Sequence, residues 1–191
     1  MWLALALITP VVQVDEQVQR TVQSHRTPVF DRVMQAATDL GRRDLVAGML
    51  LGVAVLDPVA GPAVARLAIV GLAGTNLVVE GVKWAVNRPR PDGEHKRSNS
   101  SFPSSHAANA VCLAWIFARR WPRLGGAFWL LALVVAWSRV YLGRHYLSDV
   151  VGGAAIGLLC TWAALRVRAL AAPARCEIGA APAPSSPPGS R

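Results

Sequence analysis

The chain has 191 residues, room for one domain, with 53% hydrophobic and only 16% charged residues. Soluble domains carry about 25% charge, and with a mean hydropathy of +0.35 the composition excludes an ordinary soluble protein. The net charge of +9 admits an anionic partner, but the basic residues punctuate apolar runs and form no continuous arm. Aromatic residues do not alternate with them, which excludes a nucleic-acid binder. Cys112, Cys160 and Cys176 lack metal-ligand spacing and imply no disulfide framework.

In chain order, the apolar opening MWLALALITPVV has no basic n-region and reads as a short first membrane helix broken by Pro10. Residues 15–43 mix apolar and charged positions at helical spacing. They read as interfacial or bundle-packed helix interrupted near Pro28. Five further apolar runs follow, at 45–56, 63–82, 107–118, 124–137 and 150–165. Several fall short of the ~20 residues a straight span needs, so flanking small and polar residues are expected to extend them. The expected architecture is a single all-α polytopic membrane bundle over 1–171 with about six spans, followed by a Pro/Ala/Ser-rich disordered tail, 172–191.

Two polar segments interrupt this pattern, 83–106 and 138–149. With six helices, the loops that follow the third and fifth open on the same membrane face, so topology brings the two segments together. Their residues satisfy the needs of phosphoryl chemistry without a metal. Lys83, Arg90 and Arg139 supply cations, and arginine's planar fork matches phosphate oxygens. Ser104 stands where an N-cap belongs, before the run beginning at Ala107. A helix N-terminus there offers free N–H groups to an anion, with His106 in the first turn as a general acid. His145 and Asp149 are spaced i, i+4, on one helix face. A carboxylate on one ring nitrogen fixes the tautomer and leaves the other nitrogen free to attack.

In these residues the chain resembles the type 2 phosphatidic acid phosphatase (PAP2) superfamily, which also contains acid phosphatases and vanadium haloperoxidases. The family's three motifs, K-x6-RP, PSGH and SR-x5-H-x3-D, align with Lys83-x6-Arg90-Pro91, Pro103-Ser104-Ser105-His106 and Ser138-Arg139-x5-His145-x3-Asp149. The resemblance covers residues 40–168. One departure is Ser105, where the family has glycine. The resemblance implies that Lys83, Arg90 and Arg139 bind phosphate and that Ser104 and the backbone at Ser105 hold its oxygens. It implies His106 as general acid, His145 as nucleophile and Asp149 as its partner, with no metal and no cofactor. The implied substrate is a lipid phosphate or diphosphate, leaning to undecaprenyl diphosphate or broad lipid specificity, with phosphatidic acid and phosphatidylglycerol phosphate as alternatives. An inactive lipid-binding protein on the same fold is the reading from another class, and the intact His106, His145 and Asp149 argue against it.

Other polar residues have plainer expectations. His25 and His95 read as structural. Arg88, Arg144, Lys96 and Arg97 read as solvated or headgroup-facing, with Arg88 and Arg144 given a minor chance of touching substrate. Glu80, three residues before Lys83, reads as its ion-pair partner. Trp84, Trp121 and Trp137 read as interfacial anchors. The motif side of the membrane carries twelve Lys and Arg against eight opposite; setting aside Lys83, Arg90 and Arg139 leaves nine against eight, which gives no orientation signal. The resemblance favours an extracytoplasmic site.

Overall fold

The computed structural model describes residues 2–93 and 99–171, with side chains over 9–93 and 99–167. His95, Lys96, Arg97, Cys176 and the tail 172–191 lie outside the described residues. The fold is all-α. Among the described residues seven helices follow one another: α1 (Trp2–Ser24), α2 (Pro28–Asp39), α3 (Arg43–Leu56), α4 (Gly61–Val86), α5 (Ser105–Arg120), α6 (Gly125–Tyr141) and α7 (Leu147–Ala171), with a short 3-10 turn at Pro122–Leu124 before α6.

Three of these are long and apolar enough to cross a membrane: Gly61–Val86, Pro122–Tyr141 and Leu147–Val167. Their outward faces carry Leu77, Leu133 and Leu159 at 77%, 65% and 66% exposure. Exposed leucines in this number form a surface suited to hydrocarbon rather than water. The protein is membrane-integral. Helix α5 is shorter, with 16 residues, and it sits at the centre of the bundle.

One expectation is overturned. The first helix is not broken at Pro10, because α1 runs from Trp2 to Ser24 with Pro10 inside it. Proline removes one intrahelical donor, and the helix continues through that loss here. The interruption near Pro28 is present: α1 ends at Ser24, and Thr27 caps α2 through its side chain to the Phe30 N–H.

Two apolar clusters hold the helices. In one, Leu50, Val64, Ala68, Cys112, Leu113, Ile116 and Phe117 join α3, α4 and α5. Phe117, Trp121 and Phe128 extend it, with ring centroids 5.6 to 6.1 Å apart. In the other, Ala107, Ala136, Val140 and Val150 join α5, α6 and α7, with Val18 of α1 packed on them. The close approach of α7 to α5 depends on glycine. A Cβ at Gly153 would lie 2.3 Å from the Ser104 carbonyl oxygen, and one at Gly157 2.3 Å from that of Ala108. Small residues four apart let two helix backbones touch, and here they bring the start of α7 against the start of α5. At the far end of the bundle Arg120 pairs with Asp57, tying α5 to the end of α3.

Candidate active site

The end of α4, the start of α5, the end of α6 and the start of α7 meet at one end of the bundle. All the sequence-derived site residues fall there.

Asn87 closes α4 in the left-handed region, φ 46° and ψ 48°, with its N–H on the Lys83 carbonyl. The chain then runs through Arg88-Pro89-Arg90-Pro91. It is clamped to the next segment by Arg88 N–H to Ser100 Oγ (2.9 Å) and Ser101 N–H to the Arg88 carbonyl (2.8 Å). Buried Lys83 pairs with Glu80 at 2.9 Å, as the i, i+3 spacing suggests, and also donates to Ser105 Oγ at 2.8 Å. Arg90 is held by Asn99: its Nε donates to the Asn99 carbonyl at 3.0 Å and an Nη to Oδ1.

Helix α5 starts as expected. Ser104 is fully buried and its side chain accepts from the Ala107 N–H. Ser105 opens the helix, and Asn87 is the sole non-glycine residue with positive φ among those described. Serine in place of glycine therefore carries no backbone strain, and its hydroxyl is turned to Lys83. His106 follows in the first turn. Burial, then the charges of Arg139, His145, Lys83 and Arg90, push its ring well below the ordinary histidine range, to about 3.

Arg139, near the end of α6, donates to Thr38 Oγ1 of α2 at 2.6 Å. Its Nε–H is buried with no partner among the described residues. A buried guanidinium donor left open is costly, and here it belongs to a group of cations gathered around one histidine.

His145 stands between α6 and α7 and is 2% exposed. The spacing argument assigned its ring orientation to Asp149. In the structure Nδ1 lies 2.7 Å from the Ser101 carbonyl and 3.7 Å from Asp149 Oδ2. A carbonyl only accepts, so Nδ1 carries the proton and Nε2 keeps its lone pair. Asp149 acts one step further out. Its Oδ2 accepts from Ser101 Oγ and from the Tyr146 N–H (2.8 Å), and its carbonyl accepts from the Ser104 N–H at 3.0 Å. Ser101, fully buried, thus bridges His145 and Asp149. Burial pushes His145 below the ordinary histidine range, with Arg139 and Arg90 acting the same way and Asp149 against them. The ring is neutral at pH 7, as an attacking nitrogen requires.

Arg88 corrects a second expectation. Rather than facing solvent or headgroups, it donates to Asp149 Oδ1 (2.7 Å), to Asp15 Oδ2 (2.8 Å) and to Ser148 Oγ (2.7 Å). Arg144 does face outward, paired with Asp92 at 3.1 Å. His25 is exposed and bonded to the Thr21 carbonyl at 2.8 Å. Sequence reasoning missed Thr38, Asn99, Ser101 and Asp15. Ser101 lies two residues before a motif, and its polar neighbourhood was the available signal; Thr38 and Asp15 sit in helices with no motif at all.

Beside the site a cavity of about 350 Å³ runs between α3, α4 and α5. Glu80, Asn76, Asn109 and Arg43 line it, with Val46, Leu50, Ile69 and Leu72 forming its apolar part. Asn76 Nδ2 donates to Asn109 Oδ1 at 3.0 Å.

Comparison with known proteins points to one family. The sequence model described as the PAP2 superfamily matches residues 64–172. A phosphatidylglycerophosphatase B of Bacillus subtilis is 32% identical over 178 residues, covering 82% of this chain and 85% of that protein. An undecaprenyl-diphosphatase of the same organism is 28% identical over 149 residues, covering 71% and 74%. A crystal structure of a transmembrane PAP2-type phosphatidylglycerolphosphate phosphatase from Bacillus subtilis superposes with a TM-score of 0.69 at 26% identity, covering 85% of this chain and 88% of that one.

Proposed function

The chain belongs to the PAP2 superfamily and is a membrane phosphatase of lipid phosphates, and we propose that it acts without a metal through a phosphohistidine formed at His145. The observation that carries this reading is the set of cations around two histidines. Lys83, Arg90 and Arg139 all act on His106, and the buried Arg139 Nε–H has no partner among the described residues.

The phosphate of the substrate takes the Arg139 Nε–H and the neighbouring cations, with the N–H groups at the start of α5 on its oxygens. Neutral His145 attacks phosphorus through Nε2. The P–O bond to the lipid breaks in line, and His106, protonated once the bound phosphate offsets the cations that hold it neutral, delivers that proton to the leaving oxygen. Nδ1–H stays on the Ser101 carbonyl, so the phosphoryl-imidazole is a cation, and Asp149 lies 3.7 Å away to balance it. Water then gives a proton to His106 and attacks phosphorus. The P–N bond breaks, phosphate leaves, and both histidines return to their starting states.

The cavity beside the site supports a lipid with a polar linker. Glu80, Asn76 and Asn109 come before the apolar residues on the way from Lys83 and His106. A glycerol with ester groups meets that order of surfaces, so phosphatidylglycerol phosphate or phosphatidic acid fits this part of the chain. The similarity to an undecaprenyl-diphosphatase keeps a prenyl diphosphate as the second reading, and with it the broad specificity expected from the sequence. We assign the site to the extracytoplasmic face, following the resemblance.

The experiment is a substrate panel on the purified protein in detergent with chelator present. Phosphate release from phosphatidylglycerol phosphate, phosphatidic acid and undecaprenyl diphosphate is compared by kcat/KM. Release that survives the chelator is expected, with the glycerophospholipids ahead. Loss of activity that returns with a divalent cation would reject the metal-free reading. Preference for the prenyl diphosphate would select the second. The same lipids supplied outside sealed right-side-out vesicles are expected to turn over, and turnover only after disruption would place the site on the other face.

A further inference from the structure

We infer that Asp15 on α1 is a positioning residue of the active site, fixing the Arg88 guanidinium against the Asp149 carboxylate so that the N-terminal helix completes the catalytic machinery. The inference rests on the proposed role of His145 and extends it to a residue outside the matched segment 64–172.

The geometry is a chain of alternating charges. Asp15 is 2% exposed and Asp149 fully buried, and the Arg88 guanidinium sits between them. One Nη donates to Asp149 Oδ1 at 2.7 Å and the other to Asp15 Oδ2 at 2.8 Å. The guanidinium also lies over the Tyr146 ring, 4.2 Å from its centroid. Asp15 is itself fastened to the start of α7, because its carboxylate accepts from the Ser148 N–H at 2.9 Å and from Ser148 Oγ. Asp15 comes from 133 positions earlier in the chain than the Ser148 that holds it.

Two carboxylates on one guanidinium define its plane, whereas without Asp15 only Asp149, the Ser148 hydroxyl and the Tyr146 ring would hold it. Arg88 stands close to a site built to attract anions, and without Asp15 its fork could turn from Asp149 to the substrate phosphate. Asp149 would then lose one of the donors that orient it, and Ser101, which links it to His145 Nδ1, would lose its fixed acceptor. A buried pair is also poor evidence of stability by itself, since desolvation offsets its attraction. A catalytic reason for burying Asp15 is therefore worth testing against a purely structural one.

Asp15→Asn removes the charge while leaving an oxygen for the Ser148 N–H. A positioning role predicts a fall in kcat of roughly 10- to 100-fold, the usual scale for a group that orients a functional one. KM and the inhibition constant for inorganic phosphate stay within about threefold, because Lys83, Arg90 and Arg139 are untouched. Arg88→Gln is expected to lose a similar amount, and the double variant no more than the larger single loss. Asp15→Glu recovers part of the rate. Should Asp15→Asn fail to fold in detergent, Arg88→Lys, which keeps the charge and loses the fork, carries the same expectation. Wild-type kcat in Asp15→Asn, losses that multiply in the double variant, or a fall in phosphate affinity equal to the fall in kcat would overturn the inference. A wild-type protein without phosphatase activity would instead reject the proposed function itself.

Discussion

Replacing His145 by alanine is expected to lower kcat by at least about 10⁴-fold, equivalent to about 5 kcal/mol of lost transition-state stabilisation. The size follows from the position of the ring. His145 is buried, its Nδ1–H is committed to the Ser101 carbonyl at 2.7 Å, and among the described residues no second imidazole is held in the same way. His106 lacks that backbone acceptor, and burial with Arg139, His145, Lys83 and Arg90 holds it neutral in the free site, so it takes up a proton for delivery only once a bound phosphate offsets those cations. Removing His106 should therefore cost less, roughly 10²- to 10⁴-fold, as for a general acid. The double variant should be little worse than His145→Ala alone, because a proton donor has nothing to assist once the attack is lost. Initial rates of phosphate release in detergent check all three. Turnover by His145→Ala within tenfold of wild type would contradict the assignment.

Arg139→Ala is expected to cost about 10²- to 10³-fold in kcat/KM. Its guanidinium meets Thr38 Oγ1 with one Nη and leaves Nε–H buried and open. That donor is placed for an oxygen that gains charge as the P–O bond breaks. Arg139→Lys should restore only part of the loss, because a point charge cannot reproduce two parallel donors. Thr38→Val, which removes the hydroxyl that aims the fork, should fall between wild type and Arg139→Ala. The split between kcat and KM locates the effect: a loss confined to KM would mean that Arg139 serves binding alone.

The legibility of this site in the sequence follows from how its parts are encoded. Lys83, Arg90, Ser104, His106, Arg139, His145 and Asp149 lie at helix ends, where spacing, caps and the i, i+4 rule constrain what a residue can face. Their convergence required only that two loops open on one side of a bundle. The Glu80–Lys83 pair was legible for the same local reason. Thr38, Asp15 and Asn99 were not, since each meets its partner through packing that no local spacing records. The orientation of His145 shows the same limit. The i, i+4 rule brings Asp149 near, but the hydrogen bond goes to a backbone carbonyl, and every residue carries one, so sequence cannot single it out. Arg88 read as a solvated charge because its two carboxylates come from different helices. Pro10 misled because a proline costs a helix one donor without having to end it.

The central claim is tested most directly by mixing the protein with a lipid substrate labelled in its terminal phosphate, quenching in alkali on the millisecond scale and mapping the label by peptide mass spectrometry. The account predicts an alkali-stable, acid-labile phosphoryl group on His145 that appears before free phosphate and vanishes as turnover completes. Free phosphate released with no label on His145, or label found on His106 instead, would contradict it.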